Sequence, residues 1–225
     1  MGTIDPVPMF YPMFADLTGR RCVVVGGGLV AQRKVTMLRG CGAAVTVVSP
    51  TLTKRLAGYA RQRSIRYQRR PFRPADLAGA WLVCAATGDQ RTNELVSRSA
   101  ARRRIFANVV DQKPLCSFIA PAIVRRGPLT VAVSTGGASP ALAKRLRREL
   151  GERLGGDYVS MLRLLAGLRS TAKRRLPSYQ DRKRYFDALV GGRVFALVKV
   201  GKRREARRTA LALLERRAAA NGAER

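Results

Sequence analysis

The residues able to do chemistry in this chain fall in three short stretches. The first is Gly26-Gly27-Gly28, placed directly after Arg21-Cys22-Val23-Val24-Val25. Backbone N–H groups at such a turn, with the positive end of a helix behind them, suit a phosphate. The second is Asp111, at the end of Ile105–Asp111, a carboxylate able to take up a proton. The third is Ser134-Thr135-Gly136-Gly137, just ahead of Ser139-Pro140. Ser134, Thr135 and Gly136 are candidates for holding a substrate carboxylate, with a plain strand-to-helix turn as the alternative. Asn108 is a further candidate contact, or only a strand residue. The chain has no histidine. That removes Ser-His-Asp and Cys-His nucleophile schemes and imidazole metal sites, so proton chemistry falls to carboxylates, lysine, tyrosine or hydroxyls. For Asp111 the competing role is capping the next turn.

The surrounding pattern says how these residues must be carried. Val23-Val24-Val25 reads as a buried strand, and the residues after the glycines read as a helix to about Arg39. Val30, Val35 and Leu38 can share its inner face. Gly26, Gly28 and Ala31 fit the G-x-G-x-x-G/A dinucleotide fingerprint, in the strand–turn–helix context that the fingerprint requires. Ala44–Val48 is the next strand, completing β-α-β in roughly thirty residues. At its end, where many NAD-binding chains carry an acid for the ribose, stands Ser49-Pro50-Thr51, with Lys54 and Arg55 beyond. NAD is the expected cofactor, and NADP is not barred by a carboxylate. A helix over 52–62, a strand over 65–68 and a connector to Leu77 follow. Trp81–Thr87 is a buried strand ending in Thr87-Gly88-Asp89, and Thr87 is a candidate cofactor contact. A helix over 92–102 and the strand ending at Asp111 complete an α/β, Rossmann-type parallel sheet. Strands over 117–124 and 129–134 then form a hairpin through Arg125-Arg126-Gly127-Pro128. Ser139 and Pro140 are helix-start signals, and from Asp157 the chain is helical only. Val159, Leu162, Leu165, Leu168 and Ala172 form an apolar stripe there. A last helix is expected over 203–219, with fraying over 218–225.

The chain is 225 residues long, and its 44 Lys and Arg against 14 Asp and Glu leave a net charge of +30. Such a balance favours polyanions, whether nucleic acid, anionic lipid or a polycarboxylate metabolite. Sparse aromatics, not interleaved with the basic residues, argue against single-strand stacking, so nucleic acid is not the expected partner. Four cysteines without a C-x-x-C read as buried free thiols, and no metal site is expected. The first residues lack a signal-peptide pattern and no apolar run reaches membrane-spanning length, so a cytoplasmic protein is expected.

Several segments together carry a resemblance. Met13-Phe14-Ala15-Asp16-Leu17, Val25-Gly26-Gly27-Gly28-Leu29-Val30-Ala31-Gln32-Arg33-Lys34, Ala85-Ala86-Thr87, Asn108-Val109-Val110-Asp111, Ser117-Phe118-Ile119-Ala120-Pro121 and Ala132–Pro140 occur in order. In this the chain resembles the precorrin-2 dehydrogenase family, found also as the N-terminal part of siroheme synthases. The resemblance implies NAD-dependent dehydrogenation of precorrin-2 to sirohydrochlorin. In some members ferrous iron is then inserted as a substrate to give sirohaem. It places the family's functional aspartate on Asp111 and its nucleotide contacts on Gly27, Gly28, Leu29, Val30, Pro50 and Thr51. Thr135 stands where some members carry a phosphorylated serine. The resemblance further implies a homodimer, with residues 1–113 as the NAD-binding domain, 114–150 as a dimerisation segment of hairpin plus helix, and 151–225 as a helical C-terminal domain. The methyltransferase region of fused synthases is not in this sequence, so methylation is expected of another protein.

Overall fold

The computed structural model describes residues 9–223, with side chains described to residue 220. These residues divide into two compact units, one ending at Ala120 and taking in Gly136–Ala138, the other holding Pro121–Thr135 and everything from Ser139 onward. The expected first boundary, at 113, thus differs from the observed one. Residues beyond it turn back onto the last strand of the sheet, with Ser117 N–H donating to the Ala107 carbonyl at 2.9 Å. The ends of the expected first and last segments, 1–8 and 224–225, lie outside the described residues.

The first unit is a parallel sheet of five strands: β1 (Arg21–Val25), β2 (Ala44–Val48), β3 (Arg66–Gln68), β4 (Leu82–Ala85) and β5 (Phe106–Val109). Their spatial order is β3-β2-β1-β4-β5. The chain therefore builds outward from β1 on one side, then returns to build on the other. Between β1 and β4 lies the switch in direction beside which ligands of open α/β sheets sit. Three helices connect the strands: α1 (Leu29–Gly40), α2 (Lys54–Arg61) and α3 (Gln90–Arg102).

Strand β1 is a continuous apolar run because both its faces are covered. Cys22 and Val24 pack with Ala31, Val35 and Leu38 of α1. Val23 and Val25 pack on the other face with Val96 and Ala100 of α3. On α1 it is Ala31, not Val30, that joins Val35 and Leu38 in the core. Helix α3 begins two residues before its expected start because Asp89 caps it, accepting from the N–H groups of Arg91 and Thr92. Cys22 and Cys84 are buried, Cys41 and Cys116 partly so, and all four are free thiols. Burial pushes both Cys22 and Cys84 up to about 11, well out of the reactive range.

A part-buried ion pair ties the edge of this sheet to its connector. Arg70 holds Asp76 in a two-pronged grip, with Nη1 donating to Oδ2 at 2.9 Å and Nη2 to Oδ1 at 2.5 Å. Arg73 N–H adds a third bond at 2.8 Å. Arg70 is the main reason the Asp76 carboxyl lies below its ordinary value of 3.8, outweighing burial, which acts the other way. A depressed carboxylate contributes stability that is complete above its unfolded value and lost as pH falls through the folded one. Asp76→Asn should therefore lose about 2 kcal/mol at neutral pH. That deficit should begin to narrow below about pH 4, where the unfolded carboxylate takes up its proton, and go on narrowing as pH falls through the lower native value. Urea unfolding across this pH range checks it, and an unchanged gap would count against the pair as the cause.

In the second unit, β6 (Ala122–Arg126) and β7 (Leu129–Val133) form an antiparallel hairpin turning at Gly127, whose φ is +54°. The strand expected from 117 starts only at Ala122, since 117 and 118 bond to Ala107 instead. Helix α4 (Pro140–Arg153) opens as expected, with Ser139 Oγ accepting from Leu142 N–H at 3.1 Å. Helices α5 (Gly156–Arg175), α6 (Tyr179–Gly191), α7 (Arg193–Lys199) and α8 (Arg203–Ala223) share one core. On α5 the buried residues are Met161, Leu168 and Ala172. Val159 and Leu162 are only half-buried, because burial there follows the α-helical period and not the leucine spacing. Tyr185 is fully buried at the centre and donates to the Ala210 carbonyl at 3.0 Å. Helix α8 continues to Ala223 and not to the expected 219. Among the described residues no helix is long and apolar enough to cross a membrane.

Candidate active site

The three glycines after β1 do three different things. Gly26 donates its N–H to the Val48 carbonyl at 2.9 Å and has φ +116°, and a Cβ there would lie 2.3 Å from the Ala86 carbonyl oxygen. It is the residue at which the ends of β1 and β4 meet. At Gly27 a Cβ would lie 1.8 Å from the Thr51 oxygen and 2.8 Å from Ser49 Oγ. The loop after β2 thus lies flush against the turn, held also by Thr53 N–H to the Gly27 carbonyl at 2.9 Å. Gly28 faces open space, with nothing within 4 Å of its missing Cβ. It stands at the N-cap of α1, with no side chain capping the helix and no acid in the first turn. The first N–H groups of α1, with Leu29 exposed and Val30 half-buried among them, are left for an external acceptor. Tight backbone at Gly26 and Gly27 and an open face at Gly28 fit a dinucleotide's pyrophosphate.

Around this turn the other nucleotide candidates divide. Ser49 is buried, whereas Pro50 and Thr51 are exposed at the end of β2, where no carboxylate stands. Thr53 caps α2 and donates to Gln32 Oε1 at 2.7 Å, linking α2 to α1. Thr87 Oγ1 accepts from Asp89 N–H at 2.9 Å, and the Thr87 carbonyl accepts from Asn93 Nδ2 at 3.2 Å. Thr87 therefore shapes the turn between β4 and α3, and its hydroxyl is already engaged there.

Asp111 follows β5 on the same carboxyl edge of the sheet, one strand beyond β4. Its φ is +57°, in the left-handed region that non-glycine residues seldom enter. The residue is exposed. Its carboxylate has no hydrogen bond or ion pair to a described residue, so it does not cap the next turn. Such strain tends to persist where surrounding contacts enforce it, and it gathers at functional sites. Here Cys116 enforces it: its Sγ accepts from Val109 N–H at 3.2 Å and lies 3.2 and 3.3 Å from the Val109 and Gln112 carbonyls. Ser117 Oγ adds a bond from Ala107 N–H at 2.8 Å. These two residues, missed in reading the sequence, clamp the loop that presents Asp111. The only local signal was their place seven and ten residues beyond their partners.

Most of the expected substrate contacts bond within the protein. Asn108 is buried, accepts from Lys34 Nζ at 2.8 Å and donates to the Phe118 carbonyl at 3.2 Å. Its amide is engaged inside the fold, where it joins α1 to β5. Gly136, with φ +63°, belongs to the first unit, where its carbonyl accepts from Lys113 Nζ at 2.9 Å. Ser134 and Thr135 belong to the second. Ser134 is exposed. Thr135 Oγ1 accepts from Ser139 N–H at 3.1 Å and donates to the Ser139 carbonyl at 3.0 Å, closing the loop that starts α4. The first unit thus brings together the glycine turn, the 49–51 loop, the Thr87 turn and Asp111.

Three family models match the chain in succession: a putative NAD(P)-binding model over residues 13–122, the sirohaem biosynthesis protein central model over 126–153, and the sirohaem synthase dimerisation region over 158–214. The region named for dimerisation thus falls on α5–α8, while the segment expected to dimerise, 114–150, overlaps the central model. Among curated relatives, the siroheme synthase of Thioalkalivibrio sulfidiphilus is 43% identical over 206 residues, 92% of this chain and 42% of that protein. That of Methylobacillus flagellatus is 43% identical over 196 residues, 87% of this chain and 42% of the relative. The chain spans about two fifths of the length of these relatives. A solved structure of SirC, precorrin-2 dehydrogenase, superposes with a TM-score of 0.74 at 27% identity, covering 92% of this chain and all of that one. With its NAD(P)-binding, central and dimerisation regions in this order, the chain belongs to the precorrin-2 dehydrogenase family, the family of the N-terminal part of siroheme synthases.

Proposed function

We propose that this protein dehydrogenates precorrin-2 to sirohydrochlorin with NAD as the acceptor. The observation that carries the reading is the juxtaposition, on one sheet edge, of an uncapped α1 N-terminus and a strained, exposed Asp111. The matched solved structure carries the same activity in its name. When bound, the dinucleotide supplies the hydride acceptor. Gly28 and the first N–H groups of α1 hold its pyrophosphate, on a turn that Gly26 and Gly27 keep packed against the end of β4 and the 49–51 loop. The 49–51 loop faces the ribose end, where hydroxyls or backbone stand in place of an acid. The oxidation removes a hydride and a proton from the macrocycle. Asp111 takes the proton and, being exposed, passes it to water. A homodimer built through the dimerisation region is part of the same reading.

The direct test supplies enzymatically made precorrin-2 with NAD or NADP and follows the pigment spectrum together with dinucleotide reduction. Turnover faster with NAD is expected. No change with either cofactor would sink the proposal. Adding ferrous iron to preformed sirohydrochlorin, without dinucleotide, measures metal insertion as a separate activity.

A further inference from the structure

Lys34 lies in the middle of α1, half-buried, and its Nζ donates to Asn108 Oδ1 at 2.8 Å. Among the described residues no carboxylate stands within ion-pair distance of it. Withdrawing an ammonium from water costs free energy that one neutral amide offsets only in part, and an unbranched apolar side chain would fill the same space without that cost. What the lysine adds is the bond. It is made across β4: at Cys84, which pairs with Asn108 in the sheet, burial raises the thiol and the charge of Lys34 opposes that rise. Among the described residues this is the only hydrogen bond between α1 and the segment from β5 to Phe118.

From Asn108 the contacts continue into the loop that carries Asp111. Asn108 Nδ2 donates to the Phe118 carbonyl at 3.2 Å and lies 3.8 Å from Cys116 Sγ. Cys116 in turn holds Val109 and Gln112, and Asp111 stands between those two. A continuous set of polar contacts thus runs from the helix behind the glycine turn to the strained residue at the end of β5. We propose that Lys34 is a positioning residue, which fixes the spacing between the N-terminus of α1 and the Asp111 carboxylate. The roles of those two ends rest on the dehydrogenase reading: the first holds the dinucleotide and the second takes the proton. Hydride and proton then leave one macrocycle toward groups carried by different elements. Such a reaction tolerates little error in placement, since a shift of about 1 Å can cost on the order of a hundredfold in rate.

Lys34→Met in the full chain keeps the apolar stem and removes the donor. It should lower kcat for precorrin-2 oxidation about tenfold or more, with KM and NADH affinity within about twofold of the unmodified protein. Asn108→Leu breaks the same link while the charge of Lys34 stays, and kcat should fall to a similar extent. Added to Asp111→Asn, Lys34→Met should lower kcat by less than about a further twofold, because no carboxylate remains to be misplaced. Amide hydrogen exchange reads the link without turnover. Residues 109–118 should exchange about threefold faster or more in Lys34→Met, while residues 44–61 keep their native rate. An unchanged kcat in either single variant, or an equal loss with and without Asp111, would overturn the inference. So would unchanged exchange over 109–118, or faster exchange throughout the unit. Absence of precorrin-2 oxidation by the unmodified protein, with the local exchange change present, would instead overturn the dehydrogenase reading and leave the link standing.

Discussion

Asp111→Asn is expected to lower kcat for precorrin-2 oxidation about a thousandfold, the scale of a lost general base, while affinity for NADH stays the same. The substitution isolates chemistry from folding. Asp111 is exposed and its carboxylate has no partner among the described residues, so the amide breaks no contact. Asparagine also tolerates the left-handed backbone, at φ +57°, about as well as aspartate. Thermal unfolding should accordingly shift by less than about 0.5 kcal/mol. Alanine would be a poorer probe, because it adds backbone strain to the loss of the carboxylate. Single-turnover kinetics with preloaded NAD separates the proton step from release of product. A variant that oxidises the pigment at the native rate would remove Asp111 from the mechanism.

The parts of this site that could be read from the chain are those fixed by neighbours in sequence. Val23-Val24-Val25 followed by glycines announces a strand buried on both faces and a turn at a helix N-terminus, because each residue's reason lies within a few positions. The same holds for Ser139 and Pro140 at the start of α4. What stayed hidden depends on contacts across the fold. Asn108 has a ligand's amide, yet Lys34, from the helix behind the glycine turn, donates to its oxygen. The left-handed conformation of Asp111 is held by Cys116 and the returning segment, and aspartate, though it tolerates that region, enters it too seldom to announce it. Residues 117–121 have strand composition, yet their backbone is drawn back to β5 through Ala107, so the hairpin starts late. Thr135 read as a ligand for the same reason that it is a good turn former: a short hydroxyl beside glycines can bond either to a ligand or to its own backbone. Periodicity shows where burial is needed, but not which polar group has already found a partner.

The glycine turn itself can be divided by substitution, and Gly27→Ala is expected to be strongly destabilising. Its methyl group would meet the Thr51 carbonyl at 1.8 Å, and the carbonyl carbon at 2.9 Å. Both are backbone atoms, so no rotamer can relieve the clash; the 49–51 loop must move, breaking the bond from Thr53 N–H to the Gly27 carbonyl. A loss of about 3 kcal/mol or more in unfolding free energy is expected, at the upper end of overpacking effects. NADH binding should fall with it. Gly28→Ala is the informative partner. A methyl group there enters open space, and the extended backbone at φ −82° suits any residue, so stability should change by less than about 1 kcal/mol. The same methyl would project from the N-cap of α1 into the space assigned to the pyrophosphate, which reaches the helix only by close approach to bare backbone. NADH affinity should therefore drop about tenfold or more, roughly the 1.4 kcal/mol of one poorly made charged hydrogen bond. Urea unfolding and NADH fluorescence titration on the two variants read the two effects separately. If Gly28→Ala binds NADH normally, the pyrophosphate does not lie on this helix, whatever becomes of Gly27→Ala.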